Sequence, residues 1–315
     1  MLRRLLARFH VRQPAAPAAT HDAITTHDEQ GRQIMIPRAE WRDRVLHPQL
    51  KTHWNNPDAL YGTILTALSD GFARELMTAA ARLVEIDPMP ERSHVTQGVV
   101  LLESGRLDEA EAALRAGIRV AGETAALLTH LAKVSHDRGD EAGASDLLRR
   151  AVRLDPNFEH GLNGWLAVER GRAGEAGVLE ALEEACDLPG SWRARLMLAR
   201  HHLEAGDLPA ARAQYTAVLA AAEVDGSALM TMSSDLGRYG HTGLIVTLVG
   251  PVYEPAKHGP QAGFNLLRAC LETERVAEGE ALLARLRPLA PAPFLRHLDE
   301  FEQAFRVLHG TEMHA

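Results

Sequence analysis

An all-α array of stacked helical hairpins is the fold class this sequence predicts, on three observations. Apolar residues at helical spacing recur around a glycine turn with a 34-residue period, so that Gly139 follows Gly105, Ala144 follows Ala110 and Leu148 follows Leu114. A fixed period of this length marks helical pairs that bury their apolar sides only by stacking. Aromatics are 5% of the 315 residues while Ala and Leu abound, which suits helix-on-helix packing and leaves little material for strands. The length would suggest about two globular domains. A solenoid spreads its core along an axis, however, and one long array is expected.

The period is clearest between Glu91 and Phe158. In the second copy, GDEAGASDLLRRAVRLDP sets a turn glycine at Gly139, small residues at Ala144 and Ala151, a large one at Leu148 and a closing Asp-Pro at Pro156. The glycine permits a tight helix-to-helix turn, the alanines let two backbones approach, and the proline stops the second helix. On these residues the chain resembles the tetratricopeptide repeat family. The resemblance implies a right-handed solenoid whose first helices line a concave face, and non-catalytic binding of another protein.

Taken in order, residues 1–20 read as a flexible basic tail and Pro/Ala linker. Leu2, Leu5, Leu6 and Phe9 share one helical face, with Arg3, Arg4, Arg8 and Arg12 around the other. Residues 1–12 therefore have two readings, contact with an anionic membrane surface or a frayed basic tail, and one short segment binds a membrane only marginally. Residues 21–56 read as a β-hairpin, from ITTHDEQGRQIMI, plus a helical lead-in opened by Pro37, interrupted by Pro48 and ended at Asn55 to Pro57. An isolated hairpin is marginal in water, so it is expected to dock on the array or on a partner. Trp41 and Trp54 are expected core anchors.

About seven repeats are expected over residues 57–291. Gly71 lies one period before Gly105. Between Asn157 and Gly190 the register slips, because Gly171 stands 32 residues after Gly139. Gly161, Gly164, Gly171, Gly174 and Gly177 make this unit a candidate bend, and its Trp165 has one register in the groove and one in the core. Gly206 and Gly240 restore the pattern, although Gly250 and Pro251 cut short a second helix near LIVTLVG. The last repeat puts Glu274 at the turn and Gly279 at the small site. Residues 292–315 read as a capping helix and tail, with Leu295, Leu298, Phe301, Phe305 and Leu308 as its apolar face.

Carrying the family's inner positions over implies a ligand groove of Thr129, His130, Lys133 and His136, then Arg193, Met197 and Arg200, then Met230, Ser234 and Arg238, and finally Phe264, Asn265 and Arg268. Cations on the inner face of an acidic protein would focus positive potential on an extended peptide or protein segment carrying acidic groups. The alternative is that Arg200, Arg238 and Arg268 are solvated or pair with neighbouring Glu204, Asp235 and Glu272. Some members of the family hold the carboxylate tails of heat-shock chaperones with Lys, Asn and Arg at fixed first-helix positions. That set is absent here.

A net charge of -8 with three lysines (Lys51, Lys133 and Lys257) argues against nucleic acid. Cys186 and Cys270 stand apart without CxxC spacing, which suits a reducing, cytoplasmic setting and no metal ribbon. His201 and His202 are adjacent and outside any HExxH pattern, and His130 and His136 lack a third ligand, so no metal is expected. GRAGEAG and GRYGHTG lack the Lys-Ser/Thr of a phosphate loop, and GxSxG is absent, so neither cofactor nor catalysis is expected. The expectation is a cytoplasmic, non-enzymatic adaptor. Its alternatives are an accessory subunit of an enzyme with a small-molecule pocket at the Gly-rich bend, or an assembly protein that self-associates through its hairpin edge.

Overall fold

The computed structural model describes residues 23–27, 32–221 and 224–312. The basic tip 1–12, the linker beyond it and the hairpin turn 28–31 lie outside them. The chain divides into two compact units, residues 1–181 and 182–315.

In the first unit, Ala23–His27 (β1) pairs antiparallel with Gln33–Pro37 (β2), setting Ile24 opposite Ile36. The hairpin docks within its own chain, since Ile24 is buried in one cluster with Trp41, Leu46, Leu60 and Phe72. Trp41 stacks on Phe72 at 5.0 Å, and Trp54 packs half-buried against the same cluster. Pro37 closes β2 and precedes Arg38–Trp41 (α1) instead of opening it. Nor does Pro48 interrupt the lead-in. A π turn at Arg42–Leu46 widens the ladder just before His47–His53 (α2), which accommodates a proline without an N–H.

Helical pairs follow. Pro57–Ser69 (α3) is joined by a 3₁₀ turn to Met77–Ile86 (α4), Pro90–Glu103 (α5) to Leu107–Ala121 (α6), and Ala125–Asp137 (α7) to Glu141–Leu154 (α8). Their starts are chemically marked, because Asn56, Thr124 and Asp140 each accept a first-turn backbone N–H. Their turns are marked too. Gly71, Gly105 and Gly139 sit at φ of 80°, 78° and 84°, a region that favours glycine.

Glu159–Cys186 (α9) is two limbs broken at Gly174, whose φ of 67° and ψ of -152° are not helical. The turn is therefore Gly174, 35 residues after Gly139, and Gly171 lies inside the first limb. Five glycines in one stretch left the pattern several candidate turns, and the backbone uses one. Trp165 is 1% exposed, which places it in the core.

The second unit continues with Arg193–Glu204 (α10) and Leu208–Leu219 (α11), then Gly226–Arg238 (α12) and the short Thr242–Leu244 (α13) with a π turn at Ile245–Val249. Pro255–His258 (α14) bridges to Pro260–Glu272 (α15) and Val276–Leu286 (α16), and Ala292–Glu312 (α17) closes the unit. Counting the two limbs of α9, the described residues form seven hairpins. One core runs through this unit, from Leu196 through Tyr215, Met232 and Leu267 to Leu298 and Phe305. The cap seats through Phe305, whose ring lies where any side chain at Gly279 would clash. Leu295 departs from the expected apolar face and is 38% exposed.

Candidate functional site

The first helices of the second unit, α10, α12 and α15, carry nine of the expected groove positions and link directly to one another. Arg200 on α10 donates from Nε to both carboxylate oxygens of Asp235 on α12, at 3.1 and 3.2 Å. Asp235 is buried, and burial pushes its carboxyl above the usual range despite the opposing pull of Arg200. Arg200 thus pairs with the next repeat and not with Glu204, which accepts a 2.9 Å hydrogen bond from the Tyr239 hydroxyl. Among the described residues neither Nη of Arg200 has a partner, so the guanidinium is held through Nε alone.

Asn265 on α15 donates from Nδ2 to the hydroxyls of Ser233 and Ser234 on α12, at 2.9 and 3.2 Å. Arg238 lies one helical turn beyond Ser234, and Arg268 lies a turn beyond Asn265. Both are exposed and make no ion pair among the described residues. Met197 and Met230 are half-buried, and the Arg193 guanidinium lies 4.7 Å from the Trp192 ring centre. Phe264 is drawn away from this row. It meets Phe294, His297 and Phe301 of the cap at 5.5 to 6.3 Å between ring centres.

The first unit holds the other four positions, all on α7, and treats them differently. Thr129 is 1% exposed and donates to the Ala125 carbonyl at 2.7 Å, so its hydroxyl is committed to its own helix. His130 keeps part of its surface in solvent, yet the dense protein around it, with His160 as a second influence, pushes its pKa down to about 4. Lys133 pairs with Asp137 one turn on. His136 is exposed, with Nδ1 3.0 Å from a Glu141 carboxylate oxygen. The structure joins the second-unit positions through Arg200–Asp235 and Asn265–Ser234, and leaves the α7 positions as separate local contacts.

Two buried carboxylates of the first unit have no counterpart in the sequence reading. Glu169 on the first limb of α9 accepts from the Ser145 hydroxyl at 2.5 Å, the Trp165 indole at 3.2 Å and Arg172 at 2.9 Å. Asp87, with no exposed side-chain surface, is gripped by two nitrogens of Arg92 at 2.8 Å. Arg92 also reaches Asp58 at 2.7 Å. The only sequence signal for this last contact is the separation of 34 residues, one period.

Two tetratricopeptide repeat profiles match the chain, one at residues 95–157 and another at residues 167–232. The matches fall on α5 to α8 and on α9 to α12, where the paired helices and left-handed turns recur. Over these two spans the chain is a tetratricopeptide repeat protein. No curated protein matches it in sequence. Among solved structures it is similar to yeast Tom70, with a TM-score of 0.38 and 15% identity over 86% of this chain and 58% of that one. PilF of Pseudomonas aeruginosa gives 0.37 and 15%, over 72% and 96%. A Naa15/Naa10 complex bound to HypK-THB gives 0.37 and 12% over 80% of this chain, which spans 39% of that chain's length.

Tetratricopeptide repeat proteins bind protein partners and are generally non-catalytic adaptors, and this one has the make-up of an interaction scaffold. Cys186 and Cys270 are buried, and desolvation pushes each thiol up to about 11, far from a reactive thiolate. Among the described residues no group of three or more His, Cys, Asp or Glu is placed to hold a metal ion. No helix there is long and apolar enough to cross a membrane. A cavity of about 420 Å³ is lined by Asp187, Ser191, Trp192, Arg195 and Asp225, all C-terminal to the Gly-rich stretch.

Proposed function

We propose that this tetratricopeptide repeat protein is a non-enzymatic, cytoplasmic adaptor that holds an extended acidic segment of a partner protein along α10, α12 and α15. The observation that carries the reading is the row Arg200, Arg238 and Arg268. Arg200 is fixed by a buried carboxylate, and among the described residues its two Nη groups are unpaired and the other two arginines stand exposed without an ion pair. A guanidinium held in place loses less freedom on gripping a carboxylate than a loose one does. Met197 and Met230 would supply adaptable apolar contact between the charges. The net charge of -8 disfavours nucleic acid as the ligand.

The probe is a fluorescein-labelled peptide of alternating Asp or Glu with Leu, followed by anisotropy. Saturable binding is expected, weakened about tenfold in the exposed double variant R238E/R268E and falling with added salt. Equal affinity of variant and wild type would sink the reading.

A further inference from the structure

We infer a second docking surface, on the outer side of α11, that receives an amphipathic α-helix of a partner carrying a carboxylate beside an apolar stripe. The surface is a run of exposed residues on α11 beside Leu244 of α13. One period back from Thr242 and Val249 stand Leu208 and Tyr215, so α13 and its π turn match the first eight residues of α11. Other second helices, α6, α8 and α16, run 15, 14 and 11 residues. Beyond Val249 the backbone makes one further turn, with the Tyr253 N–H donating to the Val249 carbonyl at 3.0 Å, while Thr216 and Ala217 of α11, and Ala220 just past its end, stay exposed.

The result is an open groove of about 760 Å³ lined by Leu208, Ala213, Ala217, Ala220 and Leu244, among others. Small exposed side chains there let a second backbone come close, and 12 residues of α11 offer a track of about 18 Å, matching three to four turns of helix. The occupant's charge follows from Arg212. Among the described residues it is the one charged side chain lining the groove, it is exposed, and it makes no ion pair. In a chain of net charge -8, an unpaired cation at the edge of an apolar track selects a helix with Asp or Glu flanking its apolar stripe. The surface uses none of the residues of the α10, α12 and α15 row, so the two readings stand or fall separately.

The test uses two stapled helices of about four turns, identical in their Ala/Leu stripe, one flanked by Glu and one by Lys, titrated by anisotropy against the full chain. The Glu helix should bind saturably and the Lys helix at least about tenfold more weakly. Ala217→Glu, at an exposed position, should abolish binding without changing the melting temperature, and Arg212→Glu should reverse the charge preference. R238E/R268E should leave the helix affinity unchanged. Equal affinity for the two helices, no saturable binding of either, or binding that survives Ala217→Glu would overturn the proposal. So would a concentration-dependent dimer that Ala217→Glu dissolves, because the occupant would then be a second copy of this chain.

Discussion

Glu274 holds the same left-handed turn as Gly240 one period earlier, at φ 56° against 77°, and is the one non-glycine residue at positive φ among the described residues. A side chain in this region costs roughly 1–2 kcal/mol, part of which returns as lower chain entropy in the unfolded state. Glu274→Gly should therefore stabilise the protein by about 0.5–1 kcal/mol, raising the melting temperature by about 2 °C. The reverse change, Gly139→Ala, should lower stability by a similar amount. A Glu274→Gly variant that melts earlier would show that the Glu274 side chain contributes more than the strain it brings.

His130 is kept neutral by desolvation, with a pKa of about 4 against 6.5 in an unfolded chain. Between those values the unfolded state binds the extra proton, so stability present at neutral pH is lost as the pH falls from 6.5 towards 4. The full effect is about 3 kcal/mol. Urea midpoints of wild type and His130→Gln should converge on acidification. A ring that titrates near 6.5 by NMR would contradict the assignment.

Two arginine–aspartate pairs make opposite predictions with acid. Burial raises the Asp87 carboxyl, but the Arg92 hydrogen bonds and the Met89 N–H outweigh it and leave the pKa low. Asp87 thus stabilises above the ordinary carboxylate range and loses that contribution below it. Asp235 is left high by burial, so the cost of its charge is relieved as the pH falls through its raised pKa. Arg92→Leu and Arg200→Met should each cost about 3 kcal/mol at pH 7 by stranding a buried carboxylate. Lowering the pH should restore much of that loss in both variants, read as urea midpoints between about pH 7 and 4. Variants whose deficits persist unchanged across this range would owe them to packing and not to charge.

Periodicity alone carried most of the fold. The 34-residue spacing located Gly71, Gly105, Gly139, Gly206 and Gly240 at turns, and each has positive φ. Two β-prone runs flanking an Asp-Glu-Gln-Gly stretch gave the hairpin, and the spacing of Leu298, Phe301 and Phe305 gave the cap. These signals are local, because the residues that make a helix face or a turn lie within a few positions of one another. The candidate site was less legible. Arg200, Glu204 and Asp235 were all visible, but nothing in their order says that Arg200 reaches 35 residues ahead while Tyr239 takes Glu204.

The chain by itself determined that helices pair, where most of them turn and which sides are apolar, since backbone sterics and hydrophobic spacing are written residue by residue. Tertiary packing decided the rest: Gly174 over Gly171 as a turn, Phe264 claimed by the cap, Thr129 bound to its own helix, and an open groove between α11 and Leu244. Each depends on which side chains meet when separate helices cross, and on whether burial leaves a charge paired. Those distances exist only after the hairpins have stacked.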